Sequence, residues 1–249
     1  MEINGKTAIV TGGAKGIGLD IVEKLIEKGC RVGVFDKDAK HLEKLHQKHK
    51  KISCFSCDVS DPKQVEVNVE SFYKDFKKID ILVNNAGIIY NQPLISVGTD
   101  GIKKHDIKEW NRTINTNLSS VFYVTLNVVE KMVMERTKGI IINISSVSAA
   151  GNPGQGAYSA AKAGINALTS AWSKELGYLG IRIVSVSPGF TDTESTKKSM
   201  KENVLKEIIK KVPLRRLGTP GEIANAILLV IENDFITGKV FEIDGGLII

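Results

Sequence analysis

Short apolar runs alternate with longer amphipathic stretches along the chain. The runs fall near residues 6–11, 31–35, 52–57, 79–84, 139–145, 181–187 and 239–243, and helical periodicity covers stretches such as 19–28, 40–49, 63–77 and 158–176. Strand-length apolar runs separated by helix-length segments predict parallel β-structure, because a crossover helix is what brings the chain back to the same end of a sheet. With right-handed crossovers, the pattern predicts an α/β fold of the Rossmann type, doubly wound, with a mostly seven-stranded parallel sheet and helices on both faces. Ligands in such sheets bind beyond the carboxyl ends of the strands. Thr11, Asp36, Asp58, Asn85, Ser145, Ser146 and Pro188 all follow predicted strands directly, so they are expected along one edge.

Composition narrows the class without changing the fold. Glycine and proline are dispersed and no low-complexity tract interrupts residues 1–249, so a single domain is expected. No apolar run approaches the ~20 residues a bilayer span needs, and no membrane partner is expected. The chain opens on strand-forming residues without a charged-then-apolar leader, and three cysteines are too few for a disulfide framework. A cytoplasmic protein is the expectation. A formal charge of +6 is modest for this length and its lysines are spread along helices, which argues against nucleic acid as a partner.

Two local patterns carry chemistry. The first predicted strand runs into Gly12-Gly13-Ala14-Lys15-Gly16-Ile17-Gly18 and then a helix. Glycines at a strand-to-helix turn let the backbone approach a pyrophosphate, and the helix start offers it N–H groups and a favourable dipole. The second strand ends in Asp36, placed to accept from both hydroxyls of an adenosine ribose and to repel an additional phosphate there, which favours NAD(H) over NADP(H). Lys15 and Lys37 lie close enough in sequence to offset that repulsion. The other pattern is Tyr158-Ser-Ala-Ala-Lys162: four residues along a helix bring phenol and ammonium to one face. A phenol with a pKa near ~10 is a poor base at neutral pH unless a nearby positive charge favours its phenolate.

A zinc site is not expected, although Cys54-x-x-Cys57 follows His46-x-x-His49. Residues three apart in a strand point to opposite faces, and both histidines lie on a lysine-rich helix facing solvent.

Further motifs extend these patterns: Thr11-Gly12-x-x-x-Gly16-Ile17-Gly18, Asp58-Val59, Asn84-Asn85-Ala86-Gly87, Asn117-Leu118, Ser145-Ser146, Tyr158-x-x-x-Lys162 and Pro188-Gly189. In this order, and nearly end to end, the chain resembles the short-chain dehydrogenase/reductase family. The stretches from Gly151 to Gly164 and from Pro213 to Gly218 look most like its 3-oxoacyl-(acyl-carrier-protein) reductase-like members.

The resemblance implies an NAD(P)(H)-dependent oxidoreductase interconverting a secondary alcohol and a ketone. A 3-oxoacyl-(acyl-carrier-protein) reductase is the narrower reading. A non-catalytic nucleotide-binding scaffold is disfavoured because Asn117, Ser146, Tyr158 and Lys162 are all present. By the same resemblance Tyr158 is the acid/base, Lys162 holds the nicotinamide ribose and depresses the phenol, and Asn117 positions a water that links the lysine to solvent. A serine polarises the carbonyl. The strand motif points to Ser146, the family's usual interval to the tyrosine points to Ser145, and the strand pattern favours Ser146 with one residue deleted from the following loop. Gly12, Lys15, Gly16, Ile17 and Gly18 would lie on the pyrophosphate, Asp36 on the ribose, and Asp58 with Val59 at the adenine. Asn85 and the stretch from Pro188 to Thr193 would complete the site, Thr191 and Thr193 meeting the carboxamide, and Asn84 would be structural.

Residues 190–216 would form a segment covering the substrate, and its run from Lys197 to Lys211 could receive an acidic acyl carrier protein. A homotetramer is also implied, with contacts through the long helices and an apolar ending, Gly245 to Ile249, otherwise left partly exposed. Between Gly87 and Trp110 the chain departs from the carrier-protein reductases in a longer loop, Ile88 to Glu109. Its Tyr90, Asn91, Gln92, Ser96, Thr99 and Asp100 could read a hydroxylated or ring-shaped substrate.

Overall fold

The computed structural model of the protein describes residues 1–49, 52–99, 101–199 and 202–247. The elements run β1 (Thr7–Thr11), α1 (Gly16–Glu27), β2 (Arg31–Asp36), α2 (Ala39–Lys48), β3 (Ser53–Ser56), α3 (Pro62–Phe76), β4 (Ile81–Asn84), β5 (Ile95–Gly98), β6 (Gly101–Lys104), α4 (Ile107–Ile114) and a π turn (Asn115–Ser119). They continue with α5 (Ser120–Met134), β7 (Ile140–Ile144), α6 (Gly156–Leu176), β8 (Arg182–Pro188), α7 (Glu194–Ser199), α8 (Glu202–Lys211), α9 (Pro220–Glu232) and β9 (Val240–Ile243).

Seven strands form one sheet in the order β3-β2-β1-β4-β7-β8-β9, every neighbouring pair parallel. Alternate residues of each strand feed opposite cores, as the two-residue side-chain period requires. Ala8 and Val10 of β1 pack with Ile21 and Leu25 of α1 and with Ile227 of α9. Ile9 packs instead with Phe72 of α3 and Val124 and Val128 of α5. Both faces are therefore covered, which is why the strands read as continuous apolar runs. The strand order reverses between β1 and β4, and the crevice at that switch point is where a doubly wound sheet takes its ligand.

A chain of buried amides and hydroxyls ties the sheet to its helices. Asn84 Nδ2 donates to Thr125 Oγ1 at 3.0 Å and to Asn143 Oδ1 at 2.9 Å. Asn143 Nδ2 donates to Thr169 Oγ1 at 3.0 Å, and Thr169 meets Ser185 at 2.8 Å. The chain links β4, β7 and β8 to α5 and α6, and it assigns Asn84 the structural place expected of it.

The structure corrects three expectations. Helix α1 begins at Gly16 rather than at residue 19, because the last glycines of the turn supply its first turn. The segment 88–109 is not a plain loop: Ile95-Ser-Val and Ile102-Lys alternate apolar and polar residues on either side of Gly98 and Gly101, and they close as the antiparallel hairpin β5–β6. Asp100 lies outside the described residues. Leu247 of the apolar ending is buried within its own chain against Val147 and Val212, so it needs no partner subunit to cover it, while Ile248 and Ile249 lie outside the described residues. Among the described residues, no helix is long and apolar enough to cross a membrane.

Candidate active site

The turn after β1 is shaped by close backbone packing. A Cβ on Gly12, whose φ is +62°, would lie 2.8 Å from Ala86 Cα, and one on Gly18 would lie 2.2 Å from the Gly12 carbonyl oxygen. Asn85 holds this turn to the end of β4. Its Nδ2 donates to the carbonyls of Thr11 (3.0 Å) and Gly12 (2.9 Å), while Thr11 Oγ1 accepts from Asn85 N (3.0 Å) and Ala86 N (3.1 Å). The Asn85 side chain thus serves the turn itself, although the residue also lines the cleft beyond it. Helix α1 starts without a side-chain cap and without an acid in its first turn. A Cβ on Gly16 would meet nothing nearer than Thr193 Cγ2 at 3.9 Å. Open space in front of an uncapped helix start fits a pyrophosphate.

The cleft has a volume of about 690 Å³ and is walled by Gly12, Lys15, Gly16, Ile17, Gly18, Asp36, Asp58, Val59, Asn85, Pro188, Thr191 and Thr193, together with Ser145, Ser146, Tyr158 and Lys162. Of the expected residues, Asn117 is absent from that wall. Its buried amide grips one backbone unit, donating to Ile88 O at 2.9 Å and accepting from Ile88 N at 2.8 Å. It secures the strand-end loop to the π turn.

Asp36 is buried and oriented: Oδ2 accepts from Ala14 N at 3.2 Å and Oδ1 from Asp38 N at 3.0 Å. Both neighbouring lysines have acidic partners, Lys15 with Asp38 at 3.4 Å and Lys37 with Asp58 at 3.5 Å. Burial pushes the Asp58 carboxyl up, but hydrogen bonds from Ser60 and the charge of Lys37 together hold it below the usual range. Thr191 Oγ1 donates to Gly189 O at 3.1 Å, and Thr193 Oγ1 accepts from Thr196 N at 3.1 Å, capping α7.

The two serines after β7 part company. Ser145 is buried and donates to the Lys162 carbonyl at 3.2 Å. Ser146 Oγ accepts from Ser148 N at 3.1 Å, which leaves its own proton free to face the Tyr158 phenol across the cleft wall they share. Burial raises the phenol above its ordinary value and the Ser146 contact opposes that rise. Lys162 does not point at the phenol oxygen: its Nζ donates to Ile144 O at 2.6 Å and lies 5.6 Å from the centre of the Tyr158 ring. The expected depression of the phenol by Lys162 is therefore not the leading effect here, because the ammonium is drawn to the strand carbonyl.

Sequence reasoning missed Gln155, Ser148 and Arg112, which also line the cleft. Gln155 was within reach, since three residues before Tyr158 is the same helix face that four residues after it gives Lys162. Three of the four residues set aside as metal ligands meet separate partners. Cys54 Sγ donates to Leu42 O, His46 meets Ile52 O, and His49 meets Glu23.

Burial alone lowers Lys162 from the ordinary 10.5 to about 8. Between those values the unfolded chain binds the extra proton, so the penalty is fully present below pH 8 and is relieved as pH rises towards 10.5. Measured by urea unfolding, the stability of wild type relative to Lys162→Met should rise across that window by an amount on the order of 3 kcal/mol. A difference that stays flat or falls contradicts the assignment.

The profile of the family described as short chain dehydrogenase matches residues 6–204. Over 250 residues, 97% of each chain, the protein is 40% identical to the 3-oxoacyl-[acyl-carrier-protein] reductase FabG of Chlamydia trachomatis. It is 37% identical, over the whole of both chains, to the protein of that name from Thermotoga maritima, and 34% identical over 99% of each to that from Salmonella typhimurium. The chain belongs to the short-chain dehydrogenase family and is an oxidoreductase of CH–OH groups that works with a nicotinamide cofactor.

Proposed function

We propose that this enzyme interconverts a secondary alcohol and a ketone with NAD(H) as its preferred cofactor and Ser146, Tyr158 and Lys162 as its catalytic set. The observation that carries the reading is the convergence of a phenol, a strand-end hydroxyl and a buried ammonium in the same cleft as the uncapped start of α1. When bound, the nicotinamide supplies a hydride to the carbonyl carbon, or accepts one from the carbinol carbon. Ser146 donates a hydrogen bond to the substrate oxygen. Tyr158 gives that oxygen its proton in reduction and takes it back in oxidation. Lys162, tethered by its Nζ to the Ile144 carbonyl, would hold the nicotinamide ribose in the cleft shared with the phenol. Gly12, Lys15, Gly16, Ile17 and Gly18 would hold the pyrophosphate, Asp58 and Val59 would flank the adenine, and Thr191 and Thr193 would meet the carboxamide.

The preference for NAD(H) rests on Asp36. Two backbone N–H groups fix its carboxylate, and Lys15 and Lys37 are already matched by Asp38 and Asp58. An added phosphate at that ribose would meet an acidic wall.

The names of the relatives favour a narrower reading, reduction of a 3-oxoacyl thioester carried on acyl carrier protein. The basic run after Pro188 supports such docking only weakly, because Lys197, Lys198, Lys206 and Lys210 each pair with an acid nearby. Exposed Phe122, Leu126 and Met134 along α5 support the homotetramer, and free cysteines suit a cytoplasmic setting.

Nicotinamide absorbance with a 3-oxoacyl thioester, and with secondary alcohols in the reverse direction, tests the reaction. Turnover should favour NAD(H) by about tenfold or more, equivalent to ~1.4 kcal/mol, and Asp36→Ser should erase that preference; a wild type that prefers NADP(H) sinks the cofactor assignment. In the same assay Ser146→Ala should lose about a hundredfold or more in kcat, as expected for a lost oxyanion contact, and Ser145→Ala far less. The reverse ranking transfers the role to Ser145.

A further inference from the structure

The β5–β6 hairpin stands out from the body of the protein, with Val97 and Ile102 exposed, but its root is bound tightly to the catalytic helix. Gln92 gathers both ends of the hairpin. Its Oε1 accepts from Tyr90 Oη (3.1 Å) and Asp106 N (2.8 Å), and its Nε2 donates to Lys104 O (3.3 Å). Its carbonyl meets the His105 ring at 3.0 Å, and its own N–H donates to Gly154 O at 2.7 Å, just ahead of α6. One residue earlier, Asn91 Oδ1 accepts from Gln155 Nε2 at 2.8 Å. Gln155 is 5% exposed, shares the cleft wall with Ser146, Ser148 and Tyr158, and accepts from Asn152 Nδ2 at 3.0 Å.

This arrangement fixes a carboxamide beside the phenol. Asn152 and Asn91 between them hold Gln155 Oε1 and one Nε2 hydrogen, so the orientation of the amide is set and its second N–H remains for the cleft. A buried donor of this kind gains most from a ligand oxygen and loses when an apolar group takes its place.

We propose that Gln155 is a specificity-determining residue and Asn91 its positioning residue. Together they select substrates that carry a second oxygen function, such as an ester, thioester or hydroxyl, on the β position relative to the carbon that is reduced. The inference deepens the reaction proposed above and rests on Tyr158 and Ser146 taking the first oxygen. It gives the long segment after Gly87 a role: the hairpin is the scaffold that holds Asn91 and Gln92 against the loop before α6.

Calorimetry on the full chain saturated with NAD⁺ reads ketone binding without turnover. Ethyl acetoacetate and methyl butyl ketone serve as probes with and without the second oxygen. The ratio of their affinities should fall about tenfold in Gln155→Leu and several-fold in Asn91→Ala. NAD⁺ affinity should stay near wild type in Asn91→Ala, because Asn91 lies outside the cleft wall. An unchanged ratio overturns the inference, as does equal loss of both ketones, which would mark Gln155 as purely structural. A wild type that binds neither ketone overturns it too. If the ratio falls but no ketone is ever turned over, the selection stands and the proposed reaction fails.

Discussion

The bond on which the rest of this site depends is the clamp of Asn85 on the backbone of Thr11 and Gly12. Parallel strands end in carbonyl groups that the sheet no longer satisfies, and the turn after β1 must also bend sharply enough to release α1 towards a phosphate. One amide answers both demands, and Thr11 returns the bond through its hydroxyl to the N–H groups of Asn85 and Ala86. Because the clamp joins β1 to β4 at the reversal of strand order, it fixes the phosphate-binding half of the cleft relative to the half that carries Tyr158. Gly12 and Gly18 follow from it, since any side chain there would collide with the clamped backbone.

The catalytic half depends on burial in a different way. Dehydration raises the Tyr158 phenol and lowers the Lys162 ammonium, so both groups are less charged than they would be in water. The two shifts move the values apart from ordinary ones that lie close together, so burial alone favours the uncharged form of each group. The Ile144 carbonyl accepts from the ammonium at the strand end, and the Ser146 hydroxyl opposes the rise of the phenol, so both contacts act against the neutralising effect of burial.

Much of this was legible in the sequence, for identifiable reasons. Strands covered on both faces are apolar throughout, so the seven runs were plain and only their ends moved. Tyr158 and Lys162 lie on one face of one helix, and Asp36 ends a strand, so local periodicity placed all three. What local periodicity cannot see is which distant backbone group a side chain will satisfy. Asn117 turning to Ile88, Lys162 to Ile144 and Ser145 to the Lys162 carbonyl are all pairings across 17 residues or more of sequence. The hairpin was missed because each strand contributes a single short alternation, cut off by glycine before a pattern accumulates. Gln155 was passed over because it sits in a glycine-rich loop, although helix spacing reached it.

Single-turnover hydride transfer in Tyr158→Phe tests the central claim most directly, with NAD(H) binding followed in the same protein. The Phe ring keeps the packing and removes only the proton that the site is built to move. Transfer should fall by roughly a hundred- to ten-thousandfold, while the dinucleotide dissociation constant holds within about twofold, well under the tenfold that 1.4 kcal/mol would bring. Transfer that survives near the wild-type rate would contradict the account, because the proton would then have to come from another group in the cleft.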